Sequence, residues 1–238
     1  VAASGGLVYG RAWVSSAIRW LTRHGIGLFW KLESRGVTNH VFVVRRDGTG
    51  GESIFKGAVE LPDIYEKYDN EKHWGVTFEV LTPGFDHAKC DDKLNHYIEE
   101  AHSYDFAVIA KCAIDGVLSR LFGRDLFIAR RLSLQFWTRK ERWNICAWLF
   151  AYTHKAGGHS VHGTVTDTWV ERRGWHHRLY RRTERRALDL RRVTPNDVER
   201  DVFLERPGLH RITGEFGVRP DDLPWKYVQK IQADLALP

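Results

Sequence analysis

Three side chains in this sequence have the reactivity of a nucleophile: the thiols of Cys90, Cys112 and Cys146. A thiol hydrolase needs a thiolate, an imidazole to hold and move its proton, and a polar group to orient that imidazole. An odd number of cysteines at irregular spacing is not a disulfide framework, and no CxxC pair supports a cysteine zinc site. Reduced thiols fit a chain made inside the cell. Cys146 has the most favourable setting. Asn144 reads as an N-cap, followed by an apolar helix from Ile145 to about Lys155 that Gly157-Gly158 closes. In the first turn of a helix, unpaired backbone N–H groups and the helix dipole stabilise a thiolate. Nearby N–H groups could also bind an oxyanion. The alternative for Cys146 is a small core residue. Cys112 lies in an apolar helical stripe and reads as core. Cys90 follows charged and polar residues and lacks a helix-start context.

The base must stand on a rigid element. His40 opens the run Val41-Phe42-Val43-Val44, a β-branched and aromatic segment typical of a buried strand. Asp47-Gly48-Thr49-Gly50-Gly51 is a strong turn, and Glu52 to Phe55 returns as a second strand. A turn centred on Gly48 puts Glu52 on the sheet face of His40, though not directly opposite it. A slip of one residue would turn it away, and a bulge at Gly50-Gly51 could restore contact. Glu60 is the fallback for orienting the base, and an exposed strand position is the alternative for Glu52. Residues 75–81 alternate as a third strand, stopped by Pro83-Gly84. Residues 12–22, 86–102 and 106–121 read as helices. Thr194-Pro195 starts another, with Thr194 as cap. From about Pro207 the chain reads as an irregular tail or docking arm. Helix, antiparallel strands, then helices indicate an α+β fold, with the main domain over residues 1–206 and the tail over 207–238.

Several segments together resemble the circularly permuted papain-like superfamily, which includes permuted cell-wall cysteine peptidases and amidases and the lecithin retinol acyltransferase group. They are Thr38-Asn39-His40-Val41-Phe42-Val43-Val44, Gly51-Glu52-Ser53, Tyr104-Asp105-Phe106 at a helix start, and Trp143-Asn144-Ile145-Cys146-Ala147-Trp148-Leu149. Ala17 to Thr22 and Val193 to Asp197 also look like flanking helices of phage-type members. The resemblance covers roughly residues 5–203. The family's Ser-Glu after the nucleophile is replaced here by Ala147-Trp148, which marks a remote member. The resemblance implies an antiparallel sheet or partial barrel against helices, Cys146 as nucleophile, His40 as base and Glu52 as orienting residue. It implies amide hydrolysis with peptidoglycan stem peptides as the leading substrate, lipid esters as another, and a phage or prophage origin. The competing expectation is a non-catalytic virion or assembly protein that keeps the fold.

The chain of 238 residues carries 36 Lys and Arg against 30 Asp and Glu, a net charge of +6. The excess is concentrated in residues 171–192, with nine Arg against three acids. Such a block suits phosphate, an anionic cell-wall polymer or an acidic protein partner, or is a solvated helix face. Nucleic acid is not an expected partner, because no recognised binding fold accompanies the block. His154, His159 and His162 are close in sequence, but no acid or Cys arrangement makes them a metal set, so no metal and no cofactor is expected. No phosphate-cradling glycine loop is present. No apolar run approaches the ~20 residues that span a bilayer, and no signal peptide is read, so synthesis in the cytoplasm is expected, with a virion as a candidate destination.

Overall fold

The computed structural model describes residues 3–10, 38–54, 56–100, 103–104, 143–144, 146–173, 176–190 and 193–237. It is an α+β protein built on an open antiparallel sheet. The strands are β1 (Gly5–Gly10), β2 (His40–Val44), β3 (Gly50–Ile54), β4 (Gly57–Leu61), β5 (His73–Val80) and β10 (His210–Gly217). Their spatial order is β10-β5-β1-β2-β3-β4, and among the described residues the sheet does not close into a barrel. The helices are α1 (Ile64–Tyr68), α2 (His87–Glu99), α3 (Cys146–Ala156), α4 (Pro195–Arg200) and α5 (Trp225–Leu235). None of the described helices is long and apolar enough to cross a membrane.

The apolar run of β2 is continuous because both its faces are covered. Val41 and Val43 pack with Leu94 of α2 and with Ala147, Leu149 and Phe150 of α3. Phe42 and Val44 lie on the other face with Val8, Leu61, Ile64, Tyr68 and Phe216. Full burial of such side chains stabilises by roughly 1.5–3 kcal/mol each. The β2–β3 hairpin turns at Gly48, whose φ of +88° is the left-handed backbone that glycine adopts without strain. Gly51 has a different task. A Cβ there would lie 2.7 Å from a Leu94 methyl, so its absence lets α2 sit against β3.

Several expected elements form. Thr194 and Asp197 close a capping box around Pro195, and α3 ends before Gly158, which has φ +95°. Three expectations are corrected. Trp143–Asn144 is a short strand, β7, pairing in parallel with Ser103–Tyr104, β6. Asn144 is therefore extended rather than capping, and α3 starts at Cys146. Tyr104 lies in a strand, while Asp105 and Phe106, where the helix was expected to open, are outside the described residues. The stretch from Pro207 is neither irregular nor a free arm. Its β10 completes the sheet against β5, a bulge between Ile212 and Gly214 absorbs the register change, and α5 buries Tyr227 and Ile231. The expected helices over 12–22 and 106–121, and Cys112, lie outside the described residues.

The arginine-rich segment also departs from the helix expectation. It folds as a separate two-stranded antiparallel ribbon, β8 (His162–Arg173) with β9 (His176–Ala187).

Candidate active site

The residues before His40 are pinned, which fixes where β2 begins. The Thr38 N–H donates to the buried Glu199 carboxylate at 2.7 Å. The Asn39 N–H donates to the Val8 carbonyl at 3.0 Å, and its side-chain oxygen accepts from the Gly10 N–H at 3.0 Å. His40 then pairs with Val8 across β1.

The β2–β3 register sets Phe42 opposite Glu52. Glu52 is thus a diagonal neighbour of His40 on one face, and long side chains reach across that diagonal. No bulge is needed. The Nε2 of His40 lies 2.8 Å from Oε2 of Glu52. Glu60 is not the orienting residue. It bonds Arg45 through both carboxylate oxygens, at 2.7 and 2.9 Å, on the exposed side of the sheet.

Glu52 is fully buried, so its charge must be met locally. Three donors meet it. His40 and the Tyr68 hydroxyl share Oε2, and the Lys67 ammonium reaches Oε1. Burial pushes the carboxyl up, but the hydrogen bond and charge of His40, then Lys67 and Tyr68, hold it down to about 2. Burial of Tyr68, together with the nearby Glu52 carboxylate, pushes its hydroxyl well above the usual phenol range. Lys67 and Tyr68 were not anticipated from the sequence. They end α1, whose start is set by Asp63 accepting from the Tyr65 and Glu66 N–H groups. Tyr68 is steadied by stacking on Phe42 at 5.7 Å.

Cys146 is the first residue of α3, and its thiol and the His40 ring interact electrostatically. Since Nε2 faces the ionised Glu52, that nitrogen carries the proton and Nδ1 is the one left for sulfur. Burial raises the Cys146 pKa and lowers that of His40. The mutual attraction of thiolate and imidazolium outweighs both, with Glu52 adding to it. Cys146 is held below the ordinary thiol value and His40 is raised to about 10. Backbone N–H groups of Val41 and Ala147 aim at the sulfur and lower it further.

Cys90 is the contrast. It lies in the first turn of α2, not outside a helix start as its neighbours suggested, yet burial alone dominates and pushes its thiol up to about 12.

A second buried histidine cluster was not legible in the sequence. His159, Asp201 and His210 bring three potential ligand atoms within 4.8 Å of one another. His159 meets the His154 ring edge-on, at 6.2 Å between centroids, but its possible fellow ligands are Asp201 and His210, more than 40 positions away. Arg206 donates to both Asp201 oxygens, from Nε at 2.7 Å and from Nη2 at 2.6 Å. Its Nη2 also lies 3.4 Å from His159 Nε2 and bonds the Ser160 carbonyl. The guanidinium therefore supplies positive charge to the Asp201 carboxylate.

No family model matches the chain, and neither does any curated protein or solved structure with which it was compared.

Proposed function

We propose that this protein is a cysteine-dependent amide hydrolase of the circularly permuted papain-like type, with Cys146 as nucleophile, His40 as general base and acid, and Glu52 as orienting carboxylate. The observation that carries the reading is the His40 Nε2 to Glu52 contact of 2.8 Å, which leaves the other ring nitrogen to the thiol of a helix-start cysteine. Any buried cysteine can be packing. A buried cysteine whose histidine is clamped by a fully buried, three-times-bonded carboxylate is arranged for proton transfer.

The Cys146 thiolate attacks the carbonyl carbon, forming a C–S bond and moving the carbonyl electrons onto oxygen. N–H groups at the start of α3 stabilise that oxyanion. The imidazolium of His40 gives its proton to the departing nitrogen as the C–N bond breaks. Water then attacks the thioester, His40 takes the water proton, and the C–S bond breaks to release the acid and restore the thiolate. Glu52 keeps Nε2 protonated throughout and balances the imidazolium. Peptidoglycan stem peptides lead as substrate by resemblance to permuted cell-wall peptidases, and lipid esters follow.

Cys90 and Cys146 are almost equally buried, at 3% and 5% exposure, so a difference in their reactivity reads electrostatics rather than access. With a small thiol reagent at neutral pH, peptide mapping is expected to show Cys146 modified at least tenfold faster than Cys90. On peptidoglycan, release of new amino groups is expected from the native chain and not from Cys146→Ala. Equal labelling of the two thiols, or undiminished amine release by the variant, removes the proposal. Labelling at Cys146 without any hydrolysis points to a retained but idle site in an assembly protein.

A further inference from the structure

The cluster of His159, Asp201 and His210 joins three separate pieces of chain. His159 stands in the turn after α3, Asp201 opens the turn Asp201–Glu205 that follows α4, and His210 begins β10. All three are buried. Local bonds fix two of them in place. The His159 N–H donates to the His154 carbonyl at 2.8 Å, and His210 pairs with Val80 of β5. Nε2 of His159 lies 3.6 Å from Oδ2 of Asp201, and Nε2 of His210 lies 3.8 Å from the same oxygen. In a tetrahedral zinc site, bonds of about 2.0–2.2 Å place neighbouring ligand atoms roughly 3.4 Å apart. Both nitrogen–oxygen separations are close to that spacing, and all three atoms lie within 4.8 Å of one another.

The ring tautomers suit the same end. Nδ1 of His210 lies 3.1 Å from the Arg206 carbonyl. A carbonyl only accepts, so Nδ1 carries the hydrogen and the neutral ring keeps its lone pair on Nε2. Nε2 of His159 lies 3.4 Å from Arg206 Nη2, which only donates, so this ring too keeps its lone pair on Nε2. Its Nδ1–H then donates to the Thr82 hydroxyl oxygen at 2.7 Å. An imidazole held through Nδ1–H by an oxygen, with Nε2 bare, is how metal-binding histidines are oriented.

Arg206 leaves part of the carboxylate open to this use. Its Nε donates to Oδ1 of Asp201 at 2.7 Å, an oxygen that ligation through Oδ2 does not need. Only Nη2, 2.6 Å from Oδ2, competes. Nη2 also bonds the Ser160 carbonyl, so its withdrawal frees a lone pair there for a fourth ligand bond.

We infer that His159 Nε2, His210 Nε2 and Asp201 Oδ2 bind a zinc ion that ties the His159 turn, the Asp201 turn and β10 together. Two imidazoles and one carboxylate suit zinc, whereas magnesium and calcium take oxygen ligands. Burial makes the role structural, and the binding free energy adds to folding. The Arg206 charge beside the ion weakens binding and so sets the affinity. The site shares no residue with Cys146, His40 and Glu52 and is independent of the hydrolase reading.

The test is zinc titration of the metal-depleted full chain, read by competition with a chromophoric chelator and by thermal melting. The Cys146→Ala chain is titrated in parallel, so that zinc held by the Cys146 thiol is counted separately. One equivalent is expected to bind to both chains with a dissociation constant below about 10 μM and to raise the melting temperature. His210→Gln and Asp201→Asn are each expected to weaken binding at least tenfold, and His162→Gln to leave it within about twofold. Arg206→Met is expected to bind zinc at least tenfold more tightly than the native chain, and added zinc to recover most of that variant's lost stability. Absence of such binding by the Cys146→Ala chain overturns the inference. So do unchanged affinity in both ligand variants, weaker zinc binding by Arg206→Met, or equal stabilisation by magnesium. Should a ligand variant fail to fold, the direction of the Arg206→Met change decides.

Discussion

Two buried histidine–carboxylate clusters stand in this protein, and they differ in which group supplies the positive charge. At Glu52 the cation within reach of Oε2 is the imidazole itself, with Lys67 behind on Oε1. The Cys146 thiol first, and Glu52 after it, outweigh burial and raise His40 to about 10, and its side chain keeps a fifth of its surface exposed. At Asp201 the cation is Arg206, bonded to both oxygens. The carboxylate's need is met, so burial prevails at the histidines: His159 is lowered and His210 falls to about 4. The same residue types therefore give a histidine raised toward its charged form in one place and two histidines lowered toward the neutral form in the other. A guanidinium that cannot release its proton is the deciding part.

The comparison can be broken from either side. The largest effect is expected from Cys146→Ala, which removes the proposed nucleophile and on that reading at least ~10⁴-fold of amidase turnover, measured by amine release, while thermal melting stays cooperative. Next is Arg206→Met. It leaves Asp201 buried without its cation and is expected to cost ~3–5 kcal/mol in denaturant unfolding, with Cys146 labelling unchanged in the folded protein. Transfer of that loss to Cys146 reactivity would show that the clusters are coupled.

Glu52→Gln is expected to lower kcat/KM by ~10²–10³-fold, because an amide holds the imidazole less firmly and no longer favours its charged form. Its pH signature follows from sign. The Glu52 pKa is depressed on folding, so its contribution to stability is present above 4.5 and is lost as pH falls toward about 2. The His40 pKa is raised, so its contribution is full below 6.5 and is lost as pH rises through about 10. Melting temperature against pH should lose the acid limb in Glu52→Gln and only part of the alkaline limb, since Cys146 contributes more than Glu52 to raising His40. A profile identical to the native chain would mean that Glu52 does not hold His40. The smallest effect is expected from Glu60→Gln, within ~0.5 kcal/mol of native stability and without effect on labelling, since the Arg45–Glu60 pair is exposed. A rate loss there would reinstate Glu60 as the orienting residue.

Much of the site was legible because its parts are local. His40 opens an unbroken β-branched run, a glycine-marked turn follows, and Glu52 returns after a separation that hairpin geometry can translate into a face. Cys146 was legible through the apolar helix after it, although Asn144 was misplaced as a cap. The extended backbone of Asn144 is fixed by pairing with Tyr104, forty residues back, and nothing near Asn144 announces it. Lys67 and Tyr68 look like ordinary residues of a one-turn helix. Their role comes from where α1 lands against β3. The tail was misread for a similar reason: Pro and Gly near 207–208 and 217–220 suggested irregularity, but the strand between them is held by β5, 130 residues earlier.

The amino-acid sequence by itself determined the α+β class, the hairpin carrying His40 and Glu52, and the helix behind Cys146. Each follows from periodicity, turn chemistry and propensity acting over a few neighbours. Tertiary structure decided what those residues became. It brought a helix start more than a hundred residues away onto the His40 ring, gave Glu52 two further donors, and placed Arg206 on Asp201. It also turned an arginine block into a two-stranded ribbon. Protonation state, burial and charge pairing depend on distances between segments remote in the chain, and only the folded packing sets those distances.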